Sequence, residues 1–132
     1  MLRSIAIAYD QIDDPDIASR GLGVVVDQFE EMPRLGQSTP YLTAGITESY
    51  GKISAPSAAN EGLLRLWPIV LDHLKVPAPD TYNRAPYYRR NLVTILGQIA
   101  KAYGQQGYIE SAQDVLEQAQ QRLSKNDFAY RP

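Results

Sequence analysis

The densest group of potentially reactive side chains is the acidic run YDQIDDPD near the start of the chain. Its carboxylates, Asp10, Asp13, Asp14 and Asp16, are of the oxygen type that hard cations such as Ca²⁺ prefer. The run lacks the Gly and the terminal Glu of an EF-hand loop. Asp14 stands directly before Pro15, and an acidic N-cap followed by Pro is a common helix start. We therefore expect helix capping here and no metal site.

Other side chains of catalytic type are missing or isolated. The chain has no Cys, which excludes thiol catalysis, disulfides and Cys-ligated zinc. Its one His, His73, lies near the predicted end of a helix, without a second His to share a transition metal. The phosphate-binding patterns G-x-G-x-x-G and G-x-x-x-x-G-K-[ST] do not occur. The sequence therefore predicts no enzyme, no catalytic residue, no cofactor and no metal.

A third group mixes tyrosines and arginines in the stretch TYNRAPYYRR. Such pairs stack on bases, and they also dominate protein-interface hot spots. They can equally pack under a loop, with the Arg stems lying over the Tyr rings. The net charge of −2 argues against nucleic acid as the partner. We treat these residues as packing or as a secondary protein interaction patch: Tyr82, Arg84, Tyr87, Tyr88, Arg89 and Arg90.

These residues belong to a chain whose pattern is helical almost throughout. Its 132 residues, 44% hydrophobic and 21% charged, fit one globular domain, 1–132. Apolar residues recur at helical spacing in six segments, and no segment alternates long enough to predict a strand. We expect an all-α fold of three antiparallel helical hairpins, at about 2–32, 40–75 and 86–124, with a tail at 125–132.

Local signals also predict where several helices begin, bend and end. We expect Pro15 to open the second helix and Gly107 to end the fifth in a left-handed conformation. Pro68 should either kink the fourth helix or offset its start. The apolar stripes of the first two helices predict residues that face the core: Leu2, Ile5, Ala6, Tyr9, Ile12, Ile17, Ala18, Leu22, Val25, Val26 and Phe29.

Three stretches repeat one pattern: IAIAYDQI, ITESYGKI and IAKAYGQQ. Each places a Tyr four residues after an Ile, at Tyr9, Tyr50 and Tyr103. An Ala follows each Tyr by nine residues and a Leu follows each Ala by four: Ala18 and Leu22, Ala59 and Leu63, Ala112 and Leu116. A Tyr that faces a small Ala lets two antiparallel helices approach closely, while the Leu fills the adjacent space.

This spacing resembles the tetratricopeptide repeat (TPR), a helix–turn–helix unit that stacks into a solenoid. The third copy follows the family order at Leu96, Ile99, Ala100, Tyr103, Gly107, Ala112, Leu116 and Ala119. The Tyr residues are 41 and 53 residues apart, against about 34 in the regular repeat. The resemblance therefore implies a short, irregular TPR-like solenoid, and an ordinary all-α bundle is the alternative.

In proteins that the chain resembles, the first helices of successive hairpins line a groove for a peptide or partner helix. The resemblance implies a protein or peptide partner and these groove residues: Arg3, Ile7, Asp10, Gln11, Tyr41, Glu48, Lys52, Thr94, Gln98, Lys101 and Gln105. Small groove residues would leave room for a ligand backbone: Ala44, Gly45, Gly51, Gly97 and Gly104. A solvated face is the alternative interpretation.

The first helix carries Ile7 outside its Leu2/Ile5/Tyr9 stripe, so it is apolar around most of its circumference. An upstream repeat, a partner or a second copy of the chain should cover it, and a homo-oligomer is therefore a further expectation. No stretch approaches the roughly 18 apolar residues of a membrane span, and no signal-peptide pattern opens the chain. We expect a cytoplasmic protein without a membrane partner.

Three hypotheses for the function follow. The first is a protein interaction module, a scaffold or adaptor that uses the groove. The second is a structural or assembly subunit that self-associates through its first helix. The third is an accessory helical domain of a larger enzyme.

Overall fold

A computed structural model of the chain describes residues 2–33, 39–74 and 84–124. Six α-helices occupy these ranges and no β-strand occurs in them, which confirms the predicted all-α class. The helices are α1 (Leu2–Asp10), α2 (Pro15–Glu31), α3 (Thr39–Lys52), α4 (Pro56–Leu74), α5 (Arg84–Gln105) and α6 (Ile109–Ser124).

Two of the predicted helix boundaries are confirmed in detail. Asp14 is the N-cap of α2, and its carboxylate accepts hydrogen bonds from the backbone N–H groups of Asp16 and Ile17 at 3.0 and 3.2 Å. Pro15 occupies the first helical position. Gly107 follows α5 with a φ of 87°, the left-handed conformation that favours Gly at a helix end.

Other boundaries differ slightly from the predicted ones. α3 begins at Thr39 and α5 at Arg84, one and two residues before the prolines expected to open them. α4 continues through Pro68 as one helix.

The helices pack as three hairpins whose order follows the chain. α1 packs on α2, α3 on α4, and α5 on α6. Each first helix also packs on the next one, α1 on α3 and α3 on α5, while α2 packs on α4. α3 is therefore central, with α1, α2, α4 and α5 around it. This position buries four hydroxyl side chains of α3: Thr39, Thr43, Thr47 and Ser49.

In the first two hairpins a tyrosine ring lies directly against a glycine of the second helix. A Cβ at Gly21 would overlap the ring of Tyr9, and a Cβ at Gly62 would overlap the ring of Tyr50. Each Gly stands twelve residues after its Tyr. The alanines that were expected to permit this approach are buried beside it: Ala18 and Ala59. The ring itself rests on the glycine, not on the alanine.

Four apolar residues expected in the core are instead 40–48% exposed: Ile5, Ile12, Ile17 and Leu116. In the middle hairpin, Ile46 and Leu63 occupy the same repeat positions as Ile5 and Leu116, and both are fully buried. The middle hairpin has a neighbour on both sides, whereas each outer hairpin has one. Helical periodicity identifies the apolar positions but carries no information on whether a neighbouring hairpin covers them.

The glycine contact predicts opposite effects for two Gly→Ala substitutions. Gly62→Ala places a Cβ against the buried Tyr50 ring, so we expect a loss of about 1–3 kcal/mol in the free energy of unfolding. Gly23→Ala is the matched control, because a Cβ there meets nothing within 4 Å. It should stabilise the protein by about 0.5–1 kcal/mol. Denaturant unfolding measures both, and a Gly62→Ala protein as stable as Gly23→Ala would contradict the contact.

Burial of Tyr50 predicts a loss of stability at alkaline pH. Desolvation raises the pKa of its hydroxyl from 10.0 to about 12, and the nearby Arg65 charge opposes only part of this rise. The unfolded chain releases this proton near the ordinary pKa, so stability is complete below pH 10 and decreases as the pH rises towards 12. We expect a decrease of about 2 kcal/mol attributable to Tyr50.

Unfolding by denaturant at several pH values between these limits measures the effect. Tyr50→Phe should show a shallower decrease than the wild type, although burial also raises the pKa of Tyr103, which remains in both proteins. Parallel pH profiles for the two proteins would refute the assignment to Tyr50.

Candidate functional site

The surface formed by α1, α3 and α5 carries the residues expected to bind a partner, and we call it the α1–α3–α5 face. Because the three helices lie side by side, residues at the same repeat position form rows across it. One row combines an apolar, an acidic and a basic side chain, all exposed: Ile7, Glu48 and Lys101. A second row consists of exposed polar side chains: Gln11, Lys52 and Gln105.

Arg3 connects α1 to α3 along this face. Its guanidinium carbon lies 4.3 Å from the centroid of the Tyr41 ring, a cation–π distance. Its stem occupies the space above Gly45, where a Cβ would overlap it. The expectation that Gly45 leaves room for a ligand backbone is therefore wrong. Arg3 holds the two helices together, and the Tyr41 side chain remains exposed, at 66%.

Asp10 makes a second connection between the same helices. The Ser49 hydroxyl donates to Asp10 Oδ2 at 2.9 Å, and Gln11 Nε2 donates to Oδ1 at 2.6 Å. Ser49 is fully buried and Asp10 is half-buried. Two of the expected groove residues, Arg3 and Asp10, are thus already engaged in holding α1 against α3.

Lys52 and Lys101, both exposed on this face, differ in their partners. Lys52 Nζ lies 3.1 Å from Glu48 Oε1, one helical turn away. The hydrogen bond and charge of Glu48, followed by the charge of Asp10, raise the pKa of Lys52 above its ordinary value. Lys101 has no ion pair within the described part of the chain. A partner carboxylate would therefore meet Lys101 without displacing an internal anion.

On both sides of Lys101, the space above the α5 backbone is open. Gly97 and Gly104 flank it on α5, and a Cβ at either position would meet nothing within 4 Å. At Gly51, in contrast, the Gln105 amide fills the space, so room for a ligand backbone is absent there. The space predicted for a ligand backbone is therefore open at Gly97 and Gly104 on α5, and side chains fill it at Gly45 and Gly51 on α3.

The remaining expected groove residues lie near these glycines on α5. Thr94 is exposed, whereas Gln98 is half-buried. The Gln98 Oε1 atom is buried and has no hydrogen-bond partner among the described residues. An unpartnered buried amide oxygen can accept a hydrogen bond from a donor that reaches it.

Gln106, which the sequence analysis missed, joins the third hairpin to the second. Its Nε2 donates to the backbone oxygens of Tyr50 at 2.5 Å and Ile53 at 2.7 Å. These carbonyls lie at the C-terminal end of α3, where helix carbonyls lack intrahelical partners. The bond joins residues more than fifty positions apart in sequence, so no local spacing indicates it.

Arg65 plays a similar role between α4 and α2. Its guanidinium pairs with Asp27, lies 3.5 Å from Glu30 Oε1 and donates to the Gly23 carbonyl at 3.4 Å. The hydrogen bond to Asp27 raises the pKa of Arg65. The charged groups are substantially exposed, so the network adds little stability.

On the opposite side, an apolar cleft of about 180 Å³ opens between α4 and α6. Leu64, Trp67 and Val115 line it, with Asp114 among the polar lining residues. Leu64 is 62% exposed. α4 and α6 are not closely packed, in contrast to α2 and α4. We call this cavity the α4–α6 cleft, and the sequence analysis did not anticipate it.

The tyrosine–arginine patch includes the start of α5 and one residue before it. Tyr82 lies outside the described residues. The other five belong to the first turns of α5, and their side chains lie outside the described part of the chain: Arg84, Tyr87, Tyr88, Arg89 and Arg90.

No three His, Asp or Glu side chains in 2–33, 39–74 and 84–124 lie close enough to hold a metal ion. Within the same ranges, no helix combines the length and the apolar character that crossing a bilayer requires.

Comparison with known protein families, with curated proteins and with solved structures gives no match.

The Gln106 bonds predict that a carboxylate at this position weakens the junction between hairpins. Gln106→Glu replaces the donating amide with an acceptor that faces two carbonyl oxygens. We expect a loss of about 1–3 kcal/mol in the free energy of unfolding at pH 7. Gln113→Glu, on exposed α6, is the control and should change stability by less than about 0.5 kcal/mol. Equal stabilities of the two variants would contradict a structural role for Gln106.

Proposed function

We propose that the protein is an interaction module, a TPR-like scaffold or adaptor that binds a peptide or a partner helix on its α1–α3–α5 face. The observation that supports this most is the side-by-side packing of the three first helices, with Ile7, Glu48 and Lys101 exposed in one row. Such packing produces one continuous surface from residues that are far apart in sequence.

The chemistry of the face suits a protein segment. Tyr41 and Ile7 offer apolar contact area at its α1–α3 end. Glu48 and Lys101 offer opposite charges on neighbouring helices, which can fix the direction of a bound segment. Amide side chains at Gln11 and Gln105 can donate to and accept from a peptide backbone. Interfaces commonly combine an apolar or aromatic anchor with a polar rim in this way.

We propose no catalytic role, cofactor or metal for the protein. As expected from the sequence, we propose a cytoplasmic location. The TPR-like assignment rests on the repeat register and on the order in which the hairpins pack.

Selection from a random peptide library displayed on phage tests the proposal. We expect a selected synthetic peptide to bind the wild type and to bind a Glu48→Ala/Lys101→Ala double variant at least about tenfold more weakly, a difference of ~1.4 kcal/mol. Both side chains are exposed, so this variant should remain folded.

The matched control is Arg20→Ala/Glu61→Ala, which also removes one exposed base and one exposed acid, from α2 and α4. It should bind the peptide as the wild type does. If the control weakens binding and the face variant does not, the face assignment is wrong. Loss of binding in Leu64→Asp alone would instead assign the peptide to the α4–α6 cleft.

A specific observation supports the second hypothesis, self-association. Ile5 and Ile7 of α1 are 40% and 37% exposed, and Ile12 beyond its end is 40% exposed.

A further inference from the structure

Trp67 lies in the α4–α6 cleft without the cover that its repeat position receives in the first hairpin. It follows Tyr50 by the same number of residues as Val26 follows Tyr9. Val26 is fully buried in the region where α2 packs on α4, whereas Trp67 is only half-buried. Leu64, one turn before Trp67, is exposed. The cleft therefore presents apolar side chains that α6 does not cover.

The cleft is smaller than a typical small-molecule site. Its volume is about 180 Å³, against about 300–1,000 Å³ for pockets that bury a drug-sized ligand. Such a cleft suits one or two anchoring side chains of a segment that lies across its mouth, as when an amphipathic helix binds in a groove.

Acidic side chains follow the α6 edge of the cleft. Glu110, Asp114 and Glu117 are exposed and stand at helical spacing on one side of α6, so they repel one another. Asp114 lines the cleft itself. None of the three has an ion pair with a described residue. α6 carries a single base, Arg122, against these three acids, so its exposed side favours a cationic partner.

The α4 edge adds a backbone acceptor. Pro68 lies within α4 and has no N–H, so the helical hydrogen bond to the Leu64 carbonyl is not made. Among the side chains that the structure describes, the bases of the second and third hairpins are engaged or lie elsewhere: Lys52 pairs with Glu48, Arg65 pairs with Asp27, and Lys101 lies on the α1–α3–α5 face.

We propose that the α4–α6 cleft is a second docking site, which binds a basic amphipathic segment of a partner protein. An apolar or aromatic side chain of the segment enters the cleft beside Trp67 and Leu64. Lys or Arg side chains next to this anchor pair with Asp114 and Glu117. The site does not depend on the α1–α3–α5 face, which lies on the other side of the hairpins.

The fluorescence of Trp67 reports on the site directly, because it is the one Trp of the chain. The probes are two synthetic amphipathic peptides without Trp, which share their Leu and Phe positions and carry Lys in one and Glu in the other. The Lys peptide should shift the Trp67 emission to shorter wavelength and reach saturation. The Glu peptide should bind at least about tenfold more weakly.

Charge reversal on α6 tests the acidic edge. Asp114→Lys/Glu117→Lys should bind the Lys peptide at least about tenfold more weakly than the wild type. Both side chains are exposed, so the variant should keep the helical circular dichroism spectrum. The matched control is Asp13→Lys/Glu31→Lys, which changes the net charge equally on the first hairpin and should bind as the wild type does.

Four results would overturn the proposal. The first is equal binding of the two peptides, or of the α6 variant and its control, because the attraction would then be non-specific. The second is loss of Lys-peptide binding in Glu48→Ala/Lys101→Ala, which would place the peptide on the α1–α3–α5 face. The other two concern the protein without peptide. An emission that changes with protein concentration would indicate a second copy of the chain in the cleft, and an emission changed by Phe128→Ala would indicate the chain's own segment 125–132.

Discussion

The packing of a tyrosine ring on a glycine sets how closely the two helices of the first and second hairpins approach. At Tyr50 the contact extends beyond one hairpin, since its ring rests on Gly62 of α4 and its backbone oxygen accepts from Gln106 after α5. Tyr50 therefore joins α3 to both α4 and the third hairpin. The third hairpin carries Val115 twelve residues after Tyr103, where the others carry Gly. Both residues line the α4–α6 cleft, the place where the second helices separate.

The central position of α3 explains why the candidate site is a face and not a pocket. Its neighbour α1 makes polar connections near both ends of α3, Arg3 over Tyr41 and Asp10 with Ser49, and these leave the middle row exposed. The row changes from apolar on α1 to acidic on α3 and basic on α5. A partner segment crossing the three helices would therefore meet a different chemistry at each, which favours a defined direction of binding.

Several features were predictable because they depend only on residues that are close together in the sequence. Asp14 before Pro15 specifies a helix start, Gly107 specifies a helix end, and the spacing of Ile and Tyr predicts the three first helices. Features that depend on a distant neighbour were not predictable in this way. Ile5 and Ile46 have the same local pattern but opposite burial, because only Ile46 has a hairpin on that side. Space above a glycine likewise depends on whichever side chain of the next helix occupies it.

The most direct test of the central claim is a map of backbone amide chemical shifts in the ¹⁵N-labelled protein while a selected peptide is added. The account predicts that the amides of Ile7, Glu48 and Lys101 shift together, with those of Gly97 and Gly104. Shifts confined to α2, α4 and α6 would contradict it, because the peptide would then bind on the opposite side of the hairpins.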